Sequence, residues 1–248
     1  MSVQDSYYEG YNQNASDTNR YLLEREKVML LNIKGTKILD IGCGPGKNGL
    51  LIKNKTLYGA DIFTDPETLV KDRGYKEVFR VDISQDKLPF KDNSMDSVTC
   101  METLEHLLDP IHALAEANRV LKMNGLIIIS VPNIGWIFSR ILHLFGIFAD
   151  LHDYQLVPGH IRFFTINRLK NILQIMGFEH IKVIGTTDFV SPVPGQPLLN
   201  LTAKLYPSLF ASNPVFIAKK TTAPKIKSNE YCQFSGLSQG IKSLLINR

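Results

Sequence analysis

Cysteines and long apolar runs are scarce in this sequence. Of its 248 residues only three are cysteines, and Cys43, Cys100 and Cys232 lie far apart along the chain. An odd number of widely spaced cysteines argues against a disulfide framework and a zinc site, and indicates a reducing compartment. The longest apolar stretch, residues 134–149, is interrupted by two polar side chains and is shorter than the ~20 residues needed to span a bilayer. We therefore predict a cytoplasmic protein without a membrane-spanning segment.

A concentrated charge of either sign is also missing. The formal net charge is +4, with 44% hydrophobic and 21% charged residues, which is typical of a soluble globular protein. The lysines and arginines are scattered and form no basic patch, so no nucleic-acid partner is predicted. Residues 1–20 are polar and lack the apolar core of a secretory signal.

Alternating strand-like and helix-like segments predict an α/β protein. A short helix is expected over 21–31 and another near Gly46, and Pro-rich residues near 192–197 are expected to form a loop that joins the last two strands as a hairpin. Parallel strands joined by helices form a doubly wound sheet. Strands are predicted at 37–41, 56–60, 77–81, 97–100, 126–131, 181–185 and 214–219, with further helices at 110–123 and 166–176.

The most informative segment follows the first predicted strand. Asp40 is followed by Gly42, Gly44 and Gly46, which indicates a tight turn where a ligand can approach bare backbone. The acid lies at the carboxyl end of a strand, where open α/β sheets bind their ligands. A second register, Gly44-x-Gly46-x-x-Gly49, fits a dinucleotide-binding loop. The glycines alone leave both interpretations open.

Two more acids follow predicted strands. Asp61 comes after the second strand, where a carboxylate can accept hydrogen bonds from both hydroxyls of a ribose. Asp82 comes after the third strand, and its alternative role is that of a turn or capping residue. Three longer runs then continue in order, Leu-Pro-Phe-x-Asp-x-Ser-Met-Asp-Ser-Val at 88–98, Cys-Met-Glu-x-Leu-Glu-His at 100–106 and Arg-Val-Leu-Lys-x-Asn-Gly-Leu at 119–126.

Taken together, these motifs resemble the class I S-adenosylmethionine-dependent methyltransferases of small molecules. Residues 35–132 are similar to the O-methyltransferases of ubiquinone biosynthesis, especially in the Cys-Met-Glu-x-Leu-Glu-His run. The resemblance implies a doubly wound, seven-stranded, mostly parallel Rossmann-like sheet with an antiparallel last strand and an inserted helical lid after strand five. It also implies S-adenosylmethionine as the cofactor and transfer of its methyl group to a small-molecule acceptor, most simply at a hydroxyl oxygen.

The resemblance assigns the cofactor-binding residues in order along the chain. The glycine loop would contact the amino-acid portion of the cofactor, and Asp40 would organise its ammonium through water or loop amides. The implied cofactor-binding residues are Asp40, Gly42, Gly44 and Gly46, then Asp61 and Ile62 at the ribose, Asp82 and Ile83 at the adenine, and Met101 at the sulfonium.

Histidines are the candidate general bases for a hydroxyl acceptor, because a neutral imidazole is available near pH 7. His106 and His160 are predicted as catalytic residues, although His106 could instead only orient its loop, and His152 and Asp153 are further candidates. Glu102, Glu105 and His106 could ligate a metal, but adjacent positions of a helix point in different directions, so no metal site is predicted. Nitrogen, carbon or lipid acceptors, a non-catalytic cofactor-binding scaffold and an NAD-dependent oxidoreductase remain as alternatives.

Three regions are expected along the chain. Residues 1–34 would form an N-terminal helical cap, in which Tyr7, Tyr8 and Tyr11 either fold over the cofactor or form an unstructured leader. Residues 35–220 would form the methyltransferase domain and 221–248 a flexible tail. The substrate-side insertion at 133–165 contains the apolar stretch 134–149, which is a lid, a dimer contact or a membrane-surface helix. The expected state is a monomer or a homodimer.

Overall fold

Seven strands form a single sheet in the computed structural model, which describes residues 22–62, 65–147, 160–187 and 196–225. Their order is β3-β2-β1-β4-β5-β7-β6. Strands β1 to β5 run parallel to one another, whereas β7 is antiparallel to both β5 and β6. This is the predicted fold class, including the antiparallel last strand. The strands are β1 (Lys37–Ile41), β2 (Thr56–Asp61), β3 (Glu77–Arg80), β4 (Met95–Met101), β5 (Leu121–Ser130), β6 (Phe178–Ile184) and β7 (Val215–Lys220).

Helices cover both faces of the sheet, and polar side chains mark where several of them begin. Asp109 accepts hydrogen bonds from the first amides of α4, which has Pro110 at its first turn, and Thr165 caps α6 in the same way. Both fit the preferences of helix N-termini. The helices are α1 (Glu24–Asn32), α2 (Lys47–Leu51), α3 (Pro66–Asp72), α4 (Pro110–Val120), α5 (Ile137–Leu144), α6 (Ile166–Ile175), α7 (Gln196–Leu205) and α8 (Pro207–Phe210), with a 3-10 turn at Leu104–His106.

The central strands are apolar along most of their length because helices pack on each side of them. Leu39 and Ile129 belong to the larger core on one face, together with α4 and α6. Ile38 and Ile128, their neighbours in the chain, belong to the core on the other face, where Met29 of α1 packs. The buried sheet therefore holds the carboxyl ends of its strands in fixed positions.

Three details differ from the sequence prediction. Helix α4 ends at Val120 instead of 123, and β5 begins at Leu121, because Leu121 pairs with Met95 of β4 before a register shift. Turns replace the helix that a strict strand–helix alternation requires between β3 and β4. Finally, α7 and α8 occupy residues 196–210 of the connection expected to be a loop, whereas Pro192 and Pro194 lie outside the described ranges. Pro197 and Pro207 lie in the first turns of these helices, where proline is tolerated.

The terminal regions are only partly within the described ranges. Helix α1 packs Val28 and Met29 against the sheet, while Tyr7, Tyr8 and Tyr11 lie outside those ranges, as do His152 and Asp153. At the other end, Thr221 donates to the Gly177 carbonyl, so the first residues beyond β7 remain attached to the fold. No helix in the described part of the chain has the length and hydropathy to cross a membrane.

Candidate functional site at the carboxyl edge of the sheet

Strand register brings the predicted cofactor-binding residues to one edge of the sheet. Asp40 of β1 lies opposite Gly59 of β2 and Thr99 of β4. Asp61 and Met101 therefore end their strands level with the start of the glycine loop. Because parallel strands end at the same edge, the loop, Asp61 and Met101 border a single crevice.

The glycine loop is shaped by residues that adopt left-handed backbone conformations. The φ angles of Gly42, Gly44 and Gly46 are 72°, 47° and 79°, which glycine accepts without strain. A Cβ at Gly42 would lie 2.3 Å from the Thr103 side chain, whereas a Cβ at Gly44 would meet no atom within 4 Å. Gly44 thus faces open space, where a ligand could contact the backbone.

Asp61 holds the loop from the neighbouring strand. Its Oδ2 accepts the Gly44 N–H at 2.9 Å, so one carboxylate fixes the loop and lies beside the space that Gly44 faces. Ile62, the next residue, is more than one third exposed. The loop and the end of β2 therefore form one polar, accessible unit.

Asp40 is buried beneath the loop. Its carboxylate accepts hydrogen bonds from the Tyr75 hydroxyl at 2.6 Å, Thr99 Oγ1 at 2.8 Å and Asn48 Nδ2 at 2.9 Å. Burial raises the pKa of Asp40, against the effect of these three donors, and burial also raises the pKa of Tyr75 well above its usual value. Asp40 thus links β1, α2 and the start of β3, and any influence on a ligand passes through the loop that it supports. Tyr75 belongs to none of the sequence motifs described above, so its contact with Asp40 was not predicted.

Asp82 lies in the turn after β3. Its Oδ1 accepts the Ser84 N–H at 2.9 Å and its Oδ2 accepts from Gln85 Nε2 at 2.8 Å, which is the turn-stabilising geometry of an aspartate. Ile83 is buried in the core. The turn places both residues next to the edge where Asp61 ends β2, since Asp61 pairs with Arg80.

Two carboxylates with unsatisfied oxygens follow β4. Glu102 adopts φ 51°, and its Oε2 accepts from Asn213 Nδ2 at 2.7 Å. Within the described ranges, the buried side-chain oxygens or nitrogens that lack a hydrogen-bond partner are Glu102 Oε1 and both oxygens of Glu105. Burial raises the pKa of Glu105, and the nearby charge of Glu102 raises it further. Unsatisfied buried carboxylate oxygens are rare and indicate a functional site.

Two histidines adjoin Glu105. His106 Nε2 is 4.0 Å from Glu105 Oε1, and its side chain is 41% exposed. The ring centroids of His106 and His160 are 4.9 Å apart. The amides of Ile161 and Arg162 both donate to the Glu105 carbonyl at 3.0 Å, and these two bonds hold the His160 segment against the 3-10 turn. The two predicted catalytic histidines are therefore neighbours in space, 54 residues apart in the chain.

The same three residues have the geometry of a candidate metal centre. One ligand atom from each of Glu105, His106 and His160 lies within 4.8 Å of the others. Glu102, considered as a ligand from the sequence, is not part of this group. The sequence motif Leu-Glu-His contained a signal for Glu105, but only the tertiary structure shows that its carboxylate is buried close to both histidines.

Comparison with known proteins agrees with this architecture. The Methyltransferase domain family model matches residues 10–183. An uncharacterized protein of Methanocaldococcus jannaschii is 30% identical over 82% of this chain and 84% of its own length. A ubiquinone biosynthesis O-methyltransferase of Photobacterium profundum is 30% identical over 50% of this chain and 54% of its own.

A solved structure shows the same fold. It is the Thermotoga maritima protein described as a SAM-dependent methyltransferase, possible histamine N-methyltransferase, with TM-score 0.60 and 20% identity over 79% of this chain and 88% of that one. The open space at Gly44, beside the Asp61 carboxylate, fits the cofactor of this family. The chain therefore belongs to the class I S-adenosylmethionine-dependent methyltransferases, and it is an enzyme that uses S-adenosylmethionine.

Proposed function

We propose that this methyltransferase methylates a hydroxyl oxygen of a small molecule and that His106 is the general base. The observation that carries the proposal is the half-exposed imidazole of His106 next to a buried carboxylate with no hydrogen-bond partner, Glu105. Hydroxyls are poor nucleophiles while protonated, so a base at the acceptor increases the rate. His160, against the His106 ring, is proposed to orient that ring and the acceptor.

S-adenosylmethionine, when bound, supplies a methyl group activated by its positive sulfur. The chain has two tasks, which are to align the acceptor with that methyl group and to remove the hydroxyl proton. The Nε2 of His106 is the ring nitrogen near Glu105, so we assign proton acceptance to Nδ1. Burial raises the pKa of Glu105 and so favours its neutral form, and a positive imidazolium beside it favours the carboxylate form, which in turn stabilises the charged His106.

Cofactor contacts are proposed for the edge residues described above. The Gly42, Gly44 and Gly46 backbone would receive the amino-acid portion, with Asp40 supporting the loop from below. Asp61 and Ile62 would bind the ribose. Asp82 and Ile83 would border the adenine, and Met101 would contact the sulfonium end.

A nitrogen acceptor is the second candidate, and the paired acids support it. The unpartnered oxygens of Glu102 and Glu105 could accept hydrogen bonds from an amine, and His106 could then remove its proton. Matched phenol and amine acceptors, tested with the same enzyme preparation, would separate the two candidates by the position of the transferred label.

The test of the base is His106→Gln. We expect kcat to fall about 10²- to 10⁴-fold, the usual contribution of a general base, while affinity for S-adenosylhomocysteine stays the same. His180→Gln is the matched control, because His180 is exposed on β6, an edge strand three positions from β4 in the sheet. An unchanged kcat in His106→Gln would contradict the assignment.

We further propose that the enzyme works in the cytoplasm, as a monomer or homodimer, and in contact with a membrane surface. Cys100 is a free, buried cysteine, which suits a reducing compartment. The support for membrane contact comes from helices α5 and α7.

A further inference from the structure

Helices α5 and α7 expose most of their large apolar side chains and bury small ones. The buried side chain of α5 is Ser139, and the buried side chain described for α7 is Ala203. A helix that served only to pack on the core would show the reverse pattern. The exposed side chains, here called the outer apolar face, are Phe138, Ile141, Leu144 and Phe145 at α5 and Leu198, Leu201, Leu205 and Tyr206 at α7.

Spacing places these side chains on one side of each helix. Residues 138, 141 and 145, like residues 198, 201 and 205, follow the i, i+3, i+7 pattern that lines one helical face. Leu144 is 83% exposed, although leucine is among the residues that are most often buried. Exposed apolar side chains grouped on one helical face mark interaction surfaces.

The two helices belong to the same edge of the sheet as the cofactor loop. Helix α5 follows the carboxyl end of β5, and α7 follows the carboxyl end of β6, which runs parallel to β5 because both are antiparallel to β7. Asn133, just before α5, donates from its side chain to the Ala211 carbonyl at 2.9 Å and from its backbone to the Ser212 carbonyl at 2.7 Å. The outer apolar face therefore belongs to the edge of the sheet that carries the candidate site.

In the described segments that contain or lie beside the two helices, the charged side chains have one sign. Residues 133–147, 160–168 and 196–214 contain no aspartate or glutamate, although the whole chain has 24 acidic residues. A two-fold contact between two copies would place like charges opposite one another, which is unfavourable. An anionic surface is the complementary partner. The cations of the three segments are Arg140, Arg162, Arg168 and Lys204.

We propose that the outer apolar face binds an anionic membrane surface, with the side chains of α5 and α7 at the boundary of headgroups and acyl chains. Amphipathic helices with cations beside an apolar face bind membranes in this way. The inference deepens the proposed membrane contact by assigning its surface and the charge of the lipid, and it rests on that proposal. It does not depend on which acceptor atom is methylated.

Vesicle flotation of the full chain tests the proposal. We expect the protein to float with vesicles of phosphatidylcholine and phosphatidylglycerol but not with phosphatidylcholine alone, because each cation near an anionic surface contributes about fivefold to binding. Leu201→Ser with Leu205→Ser should weaken flotation about tenfold or more, since two apolar side chains no longer leave water. Leu31→Ser, at an 83% exposed leucine of α1, is the matched control and should float like the unchanged protein.

The outcomes are separated by two parallel measurements. Affinity for S-adenosylhomocysteine, measured in each variant, should stay constant; constant affinity with lost flotation supports the proposal without depending on methyl transfer. Absence of flotation with the anionic vesicles, or equal flotation of the double variant, overturns it. A double variant that instead converts a dimer into a monomer on size exclusion also overturns it and assigns the face to a second copy of the chain.

Discussion

Replacement of Asp61 by alanine tests the centre of the proposed cofactor site. The Asp61 carboxylate ends β2 and accepts the Gly44 N–H at 2.9 Å. A carboxylate offers about four acceptor positions, and the loop amide occupies one of them. The proposal assigns two others to the ribose hydroxyls, so the alanine variant loses both cofactor hydrogen bonds and the bond that holds the loop.

The size of the effect follows from the charge of the acceptor. Hydrogen bonds to charged groups contribute about 1.5–3 kcal/mol each, so two ribose bonds amount to about 3 kcal/mol at the low end. Since about 1.4 kcal/mol is tenfold in affinity, the Kd for S-adenosylhomocysteine should rise about 100-fold in Asp61→Ala. In Asp61→Asn, which keeps an acceptor for Gly44 but loses the charge, we expect a rise of about tenfold.

Isothermal titration calorimetry with S-adenosylhomocysteine measures these affinities directly. Asp72→Ala is the matched control, because Asp72 is an exposed acid at the end of α3. An analogue without ribose hydroxyls should bind the unchanged protein and Asp61→Asn almost equally, because both keep an acceptor for the Gly44 N–H. If the Kd of Asp61→Ala for S-adenosylhomocysteine stays within twofold of the unchanged protein, the ribose assignment is wrong.

Two further outcomes concern acid stability and metal. The Asp96 carboxylate contacts the Lys122 ammonium and accepts hydrogen bonds from the amides of Thr36 and Lys37 at 2.8 and 2.9 Å. The Lys122 ammonium, together with these two amides, holds the pKa of Asp96 well below its usual range. Asp96 therefore stabilises the folded protein fully above the unfolded pKa of about 3.9, and this contribution is lost as pH falls below that value. Denaturant unfolding should show Asp96→Asn to be about 2 kcal/mol less stable at neutral pH and equal to the unchanged protein in strong acid, and an equal loss at both pH values would argue against this linkage. Dialysis against EDTA should leave the rate of methyl transfer unchanged, because the proposed mechanism needs only the imidazole of His106; a rate that falls and returns with added Zn²⁺ or Mn²⁺ would show instead that Glu105, His106 and His160 hold a metal.

Much of the fold was predictable from local sequence patterns. The glycines after Asp40 predicted the loop, and Asp109-Pro110 predicted the start of α4, because turn and cap geometries depend on residues close in sequence. The end of α4 could not be predicted from such local patterns. Leu121 has a good helical spacing with Leu114 and Ala117, yet it pairs with Met95 of β4, and that partner lies 26 residues earlier in the chain.

The helical connection between β6 and β7 was missed for a related reason. Prolines suggested a loop, but Pro197 and Pro207 lie in first turns, where the missing amide has no helical acceptor to lose. Proline content alone predicts a loop, whereas a proline in the first turn of a helix is compatible with that helix.

For the site, the sequence by itself determined the family, the cofactor and the order of the residues along the crevice, because these depend on motifs whose members lie within a few residues of one another. Tertiary structure decided which of them share a surface. The fold buries Asp40 among Tyr75, Thr99 and Asn48. It places His160 beside His106, through two backbone hydrogen bonds from the amides of Ile161 and Arg162 to the Glu105 carbonyl. It also turned the leucines of α7 outward. Burial and long-range pairing depend on contacts that no single segment contains, so the grouping of the proposed catalytic residues and the exposure of the outer apolar face required the tertiary structure.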